Sequence, residues 1–141
     1  MYLASTGLVG KDILNLDKVW QFKLLYMAAQ VCADNPGIIA ALRHYEALIL
    51  HNIVPARTPR RWLNAAGKAD LIMGINHPRI PSVVTTPNGD VALVGVALLH
   101  PKETAYISQG GAEARSEVAD KLRQLPPELL NNPRRKPVVS G

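Results

Sequence analysis

Residues 54–68 read VPARTPRRWLNAAGK, and the fold turns on whether this stretch is a helix. Thr58-Pro59 is a start signal, because proline's missing N–H costs nothing in the first turn of a helix. On a helical wheel Arg57, Arg60, Arg61, Asn64 and Lys68 fall within an arc of about 100°, with Trp62, Ala66, Ala69 and Met73 opposite. The spacing predicts an amphipathic helix from Thr58 to about Asp70. Two residues resist it. Leu71 would land on the basic face, and Gly67 weakens a helix by about 1 kcal/mol relative to alanine.

Upstream, Trp20, Leu24, Met27 and Val31 recur at helical spacing, in a helix opening near Asn15 or Asp17, either of which can cap backbone N–H groups. Asn35-Pro36 ends that helix and starts a second, which the periodicity of Ile38, Leu42, Tyr45 and Ile49 carries to about Asn52. Pro55 blocks its continuation. Downstream, Pro78 and Pro81 make residues 74–81 irregular. Residues 81–101, PSVVTTPNGDVALVGVALLHP, carry the clearest strand signal in the chain. Valine-rich runs flank Asn88-Gly89, a pair that tolerates positive φ and so favours a tight hairpin. Val91, Leu93 and Gly95 alternate with Ala92, Val94 and Val96. Both faces are therefore apolar, and such a strand needs cover on both sides. A lone hairpin is marginal in water, so a third strand from residues 2–9 is a further expectation. After Gly110-Gly111 the run AEARSEVADKLRQL reads as a last helix burying Ala114, Val118 and Leu122 or Leu125. Pro126-Pro127 ends it.

The expected fold is mainly α with a β-hairpin, an α+β chain. It has three N-terminal helices, a hairpin around Asn88-Gly89, one further helix and extended terminal arms. One globular domain would span residues 1–125, with residues 1–14 as an N-terminal arm. Residues 126–141 would form an extended, proline-rich basic arm. A chain of 141 residues with 48% hydrophobic content can bury one core, and 19% charged residues is less than the usual quarter. A surface so poor in charge suits coverage by a partner.

Charge is uneven. Residues 1–52 balance, whereas residues 53–80 hold Arg57, Arg60, Arg61, Lys68 and Arg79 against Asp70 alone, and Arg134, Arg135 and Lys136 crowd the tail. Such foci suit an acidic surface, either protein or nucleic acid. No apolar run reaches the roughly 18 residues that span a bilayer, so no membrane partner is expected. The opening MYLASTGLVGKDIL lacks the pattern of a signal peptide. Cys32 alone cannot form an internal disulfide and fits a reducing compartment, in a cell or inside a virus particle.

Catalytic and metal signatures are missing from the sequence. His44 and His51 lie two helical turns apart, too far to share a metal, and His77 and His100 each precede a proline without ligand companions. Cys32 lacks the positive neighbours that activate a thiol. Glu113, Glu117 and Lys121 form an i, i+4 ladder typical of a solvated face. No phosphate-binding glycine motif or nucleophile elbow occurs, so neither an enzyme nor a cofactor is expected.

These readings favour a non-enzymatic structural subunit of a larger multi-chain assembly, such as a virion or nucleoprotein particle. Its contacts would be the terminal arms, anchored by Leu129, Leu130, Val138 and Val139, and the basic residues named above. The alternative is a winged helix-turn-helix DNA-binding protein. Arg60, Arg61 and Asn64 would then enter the major groove at the start of helix 58–70. Against it, the wing tip Asn88-Gly89-Asp90 carries a negative charge where phosphate is expected.

Overall fold

The computed structural model describes residues 1–5, 15, 18–53 and 57–140. It is a mixed helix and sheet fold built on a small antiparallel sheet. Helices α1 (Trp20–Asp34) and α2 (Gly37–Tyr45) precede strand β1 (Leu48–Ile53), and β2 (Ala69–Met73) follows a single 3-10 turn at Arg60–Trp62. A hairpin of β3 (Val83–Thr86) and β4 (Gly89–Ala92) is inserted before β5 (Val96–Leu99). Helices α3 (Pro101–Arg123) and α4 (Pro127–Leu130) complete the order.

The main sheet runs β1-β2-β5 with both pairings antiparallel. Strand side chains alternate between faces, and that alternation divides the core in two. Leu71, Met73, Val96 and Leu98 join Leu24, Ala28, Cys32 and Trp62 on one side. Ile72, Ala97 and Leu99 join Ile107, Val118, Leu122, Leu130 and Val139 on the other. The sheet is thus sandwiched between α1 on one face, and α3 with the C-terminal segment on the other. The cover expected for a two-sided apolar strand is supplied internally at β5, whose four residues are all buried.

Several expectations need correction. The second helix stops at Tyr45, because Glu46 takes a left-handed φ of 60° and residues 48–53 pair with β2. Ile49 is therefore a strand residue, and Tyr45 is exposed. The third helix does not form. After one 3-10 turn Leu63 swings to extended backbone. Asn64 then closes a tight turn, its Oδ1 accepting from the backbone N–H groups of Ala66 and Lys68. Residues 69–73 become the central strand, every one of them buried. Leu71, the misfit on a helical wheel, sits at 0% exposure in β2, so burial in the sheet outweighs helix propensity here. The winged-helix alternative has no recognition helix left.

The hairpin forms, but its two-residue loop is Pro87-Asn88, with Gly89 at φ +113° opening β4. The valine run does not continue as one strand. It breaks at Leu93 and Val94, and β3–β4 is a separate two-stranded sheet. Of the third strand expected from residues 2–9, only a parallel bridge from Tyr2 to Gly95 is described. Residues 6–14 lie outside the described residues, as does Asp17.

The last helix begins eleven residues earlier than the sequence suggested, at Pro101 instead of Ala112. His100-Pro101-Lys102-Glu103 is a helix-start signature: Glu103 Oε2 accepts from the His100 N–H at 2.7 Å, and His100 Nδ1 accepts from the Lys102 N–H at 3.2 Å. Gly110-Gly111 does not start this helix but kinks it, with Gly111 at φ 62°. Ala114, Val118 and Leu122 are buried as expected, and Leu125 is half-buried.

The C-terminal segment is not an arm reaching outward. Leu130 and Val139 are buried in this chain's own core, and Val138 packs against it, leaving only Leu129 exposed among the four expected anchors.

Candidate functional site: a basic face and an uncovered hairpin

The two basic stretches, more than 60 positions apart in sequence, meet in space. Arg135 is the joint. Its guanidinium forms a two-pronged ion pair with Glu103 at 2.6 and 3.0 Å, and also donates to the carbonyls of Leu98 and Leu130. It lies over the Trp62 ring, 4.8 Å from the centroid. Trp62 Nε1 donates to the Pro133 carbonyl at 3.1 Å, and the Arg61 guanidinium to the Arg135 carbonyl at 3.3 Å. The three contacts of Arg61 and Trp62 tie the 3-10 turn to Pro133 and Arg135.

Asn131, fully buried, adds a second tie. Its side chain accepts from the Leu98 N–H and donates to the carbonyls of Ala4 and Val96. Replacing Asn131 by alanine leaves these three backbone groups, two on β5 and one in the N-terminal segment, unpaired. A loss of about 2–3 kcal/mol is expected, read from urea melts.

The sequence-predicted site residues therefore take different roles. Arg60, Arg61, Arg134 and Lys136 are exposed, with Arg61 and the tail brought onto one face. Arg57 is exposed at φ 64°. Lys68 is half-buried at the end of the Asn64 turn. Asn64 is spent on that turn and on Asn52, so it is not a base-reading group. Arg79 is paired with Glu128 across 3.4 Å of exposed surface. Arg135 is 8% exposed and locked inward, so it serves as a fastener and not as a partner contact.

His100 sits at this junction, its ring edge-on to Trp62 at 5.5 Å. Burial pushes its pKa down from the usual 6.5, opposed by Glu103 and reinforced by the positive charges of Arg135, Arg61 and Lys102. The folded state thus holds His100 neutral, with Nδ1 free to cap α3. As pH falls through about 6.5 the unfolded chain takes up the proton first, and stability is lost. Stability should therefore drop between about pH 7.5 and 5.5, and His100→Asn, which keeps a cap acceptor without titrating, should drop less. Urea midpoints at the two pH values check this.

Cys32, His51 and Asp70 also have partners within the fold. Cys32 is buried, its thiol pKa raised by desolvation, with Sγ 3.7 Å from Met73 Sδ. His51 approaches Asp70 at 3.4 Å. Asp70 also accepts from the N–H of Asn52 at 2.9 Å, holding the bulge where Asn52 adopts φ 59°. Among the described residues, no group of three or more His, Cys, Asp or Glu side chains is placed to hold a metal, and no helix is long and apolar enough to cross a membrane.

The hairpin is the second candidate surface, and sequence reasoning had it buried. Val83, Val84 and Val91 are 48%, 42% and 48% exposed. Val84 faces Val91 across the strands, and Val83 faces Ala92 on the opposite side. Both faces are thus apolar and open. The tip is held by its own polar contacts, with the Thr85 hydroxyl donating to Asp90 at 2.8 Å and the Thr86 hydroxyl to the Gly89 carbonyl at 2.8 Å. No protein-family model, no curated protein and no solved structure matches this chain.

Proposed function

We propose that this chain is a non-enzymatic assembly subunit that docks onto neighbouring copies of itself through the β3–β4 hairpin. The observation that carries the reading is that hairpin, apolar on both faces, exposed, and, among the described residues, paired with no other strand. A two-stranded sheet of this kind is marginal in water, and a bare edge without a lysine or an inward charge invites another strand. Strand β3 is Val-Val-Thr-Thr and uncharged, so two copies can lie edge to edge across a two-fold axis without repulsion. Phe22 and Tyr26 on α1 and Ile39 on α2 add exposed apolar area of the kind that marks interaction surfaces.

Val84→Asp with Val91→Asp is the direct test, by sedimentation over a concentration series. Wild type should sediment as a concentration-dependent oligomer. The double variant should remain monomeric with an unchanged melting temperature, its dissociation constant raised about a hundredfold or more. A wild type that stays monomeric at the highest concentrations would remove this reading.

A further inference from the structure

A second surface goes beyond the hairpin. Where the end of α3 meets the C-terminal segment there is an open groove of about 710 Å³, within the usual range of ligand sites, about 300–1,000 Å³. Its lining has two characters. Leu125, Leu129 and Val138 supply apolar surface, and Lys121, Arg134 and Lys136 supply charge. Among the described residues, no carboxylate lines it. Lys121 is engaged by Glu117, bonded at 2.6 Å from outside the groove. Arg135 also borders the groove, but its charge is consumed by Glu103. The charge offered to a partner therefore comes from Arg134 and Lys136.

We infer that this groove is a docking site for an acidic linear segment of a partner protein, with apolar side chains between its carboxylates. Charge complementarity demands the acid, because a rim of cations without a carboxylate is matched by carboxylates. The apolar lining demands the intervening hydrophobic residues, because Leu129 at 40% exposure is otherwise left wet. A nucleic acid strand fits less well. Among the described residues no aromatic side chain lines the groove to stack a base, and two unshared cations neutralise few phosphates. The wall is pre-organised. Residues 133–136 are fastened by the Arg135–Glu103 pair and by the Trp62–Pro133 bond, so little ordering entropy is lost on binding.

The test is fluorescence anisotropy on the full chain with three labelled probes: a short peptide alternating Glu and Leu, the same peptide with Ser for Leu, and an oligothymidylate. The Glu/Leu peptide should bind at physiological salt, and the Ser peptide about tenfold or more weaker. The oligonucleotide should bind weaker still. Arg134→Glu with Lys136→Glu should reduce Glu/Leu binding by tenfold or more, and Leu129→Ser by less. Lys23→Glu, on exposed α1, should leave it unchanged. Equal binding of the Glu/Leu peptide by wild type and by the charge-reversed variant overturns the proposal, as does equal binding of the Ser peptide or tighter binding of the oligonucleotide. Because these residues lie outside the hairpin, the outcome is independent of the oligomeric state of the Val84/Val91 variant.

Discussion

Replacing Arg135 by alanine is expected to destabilise the fold by about 3–5 kcal/mol, the usual consequence of leaving one partner of a buried ion pair alone. Glu103 is 0% exposed, and without Arg135 its carboxylate keeps only the N–H groups of His100 and Val138, at 2.7 and 2.8 Å. The carbonyls of Leu98 and Leu130 lose a charged donor in the same step. Trp62 loses the guanidinium over its ring. Arg135→Lys keeps the charge but not the two-pronged geometry, so it should fall between wild type and alanine. Arg135→Met with Glu103→Leu should recover part of the loss, but not all. The two N–H groups now served by Glu103 would then be left without an acceptor. Urea midpoints for the four proteins check the ranking, and limited proteolysis adds a specific readout. The alanine variant should be cut within residues 131–140 before the body is attacked. An alanine variant as stable as wild type, with an intact tail, would show that the lock contributes little.

Gly74→Ala should rank next, at about 2–4 kcal/mol. Gly74 holds φ +86°, a region costly for any residue with a Cβ. A Cβ there would also stand 2.1 Å from the Glu46 carbonyl oxygen, which is backbone and cannot swing aside. Both the β2 end and the α2–β1 corner would have to move. Gly67→Ala is the contrasting control. It also has positive φ, +70°, but open space around it, so only the conformational term applies, and its loss should be smaller. Thermal melts of the two variants separate the clash from the backbone strain.

Some local signals read correctly, where a side chain or turn acts within its own segment, whereas Thr58-Pro59 misled and the cap at His100 went unread. The stripe of α1, the hairpin near Asn88-Gly89 and the buried face of α3 at Ala114, Val118 and Leu122 were visible because each rests on near-neighbour geometry. Strands β1 and β2 were not. Leu48–Ile53 continues a helical period from α2, and only pairing with Met73, Ile72 and Leu71 makes it a strand. Leu71 on the supposed basic face and Gly67 before it were the two hints against a third helix.

At the candidate site, the basic residues were legible as types but not as neighbours. Nothing local says that Arg61 meets the backbone of Arg135, or that Glu103 waits 32 positions away to neutralise one of three tail cations. The same holds for Asn131. A buried asparagine serving Leu98, Val96 and Ala4 at once is invisible until the three segments are in place.

That asparagine also sets an order of events. Ser5 and Ala4 bond to Asn131 across separations of 126 and 127 residues, and Val139 seals the α3 side of the core. During synthesis Ala4 and Ser5 must wait, exposed, until Asn131 has emerged before they find their partner. One face of the sheet stays open over the same interval. Residues 130–139 close the fold, so a ribosome that stalls before residue 131 releases a sticky, half-covered sheet.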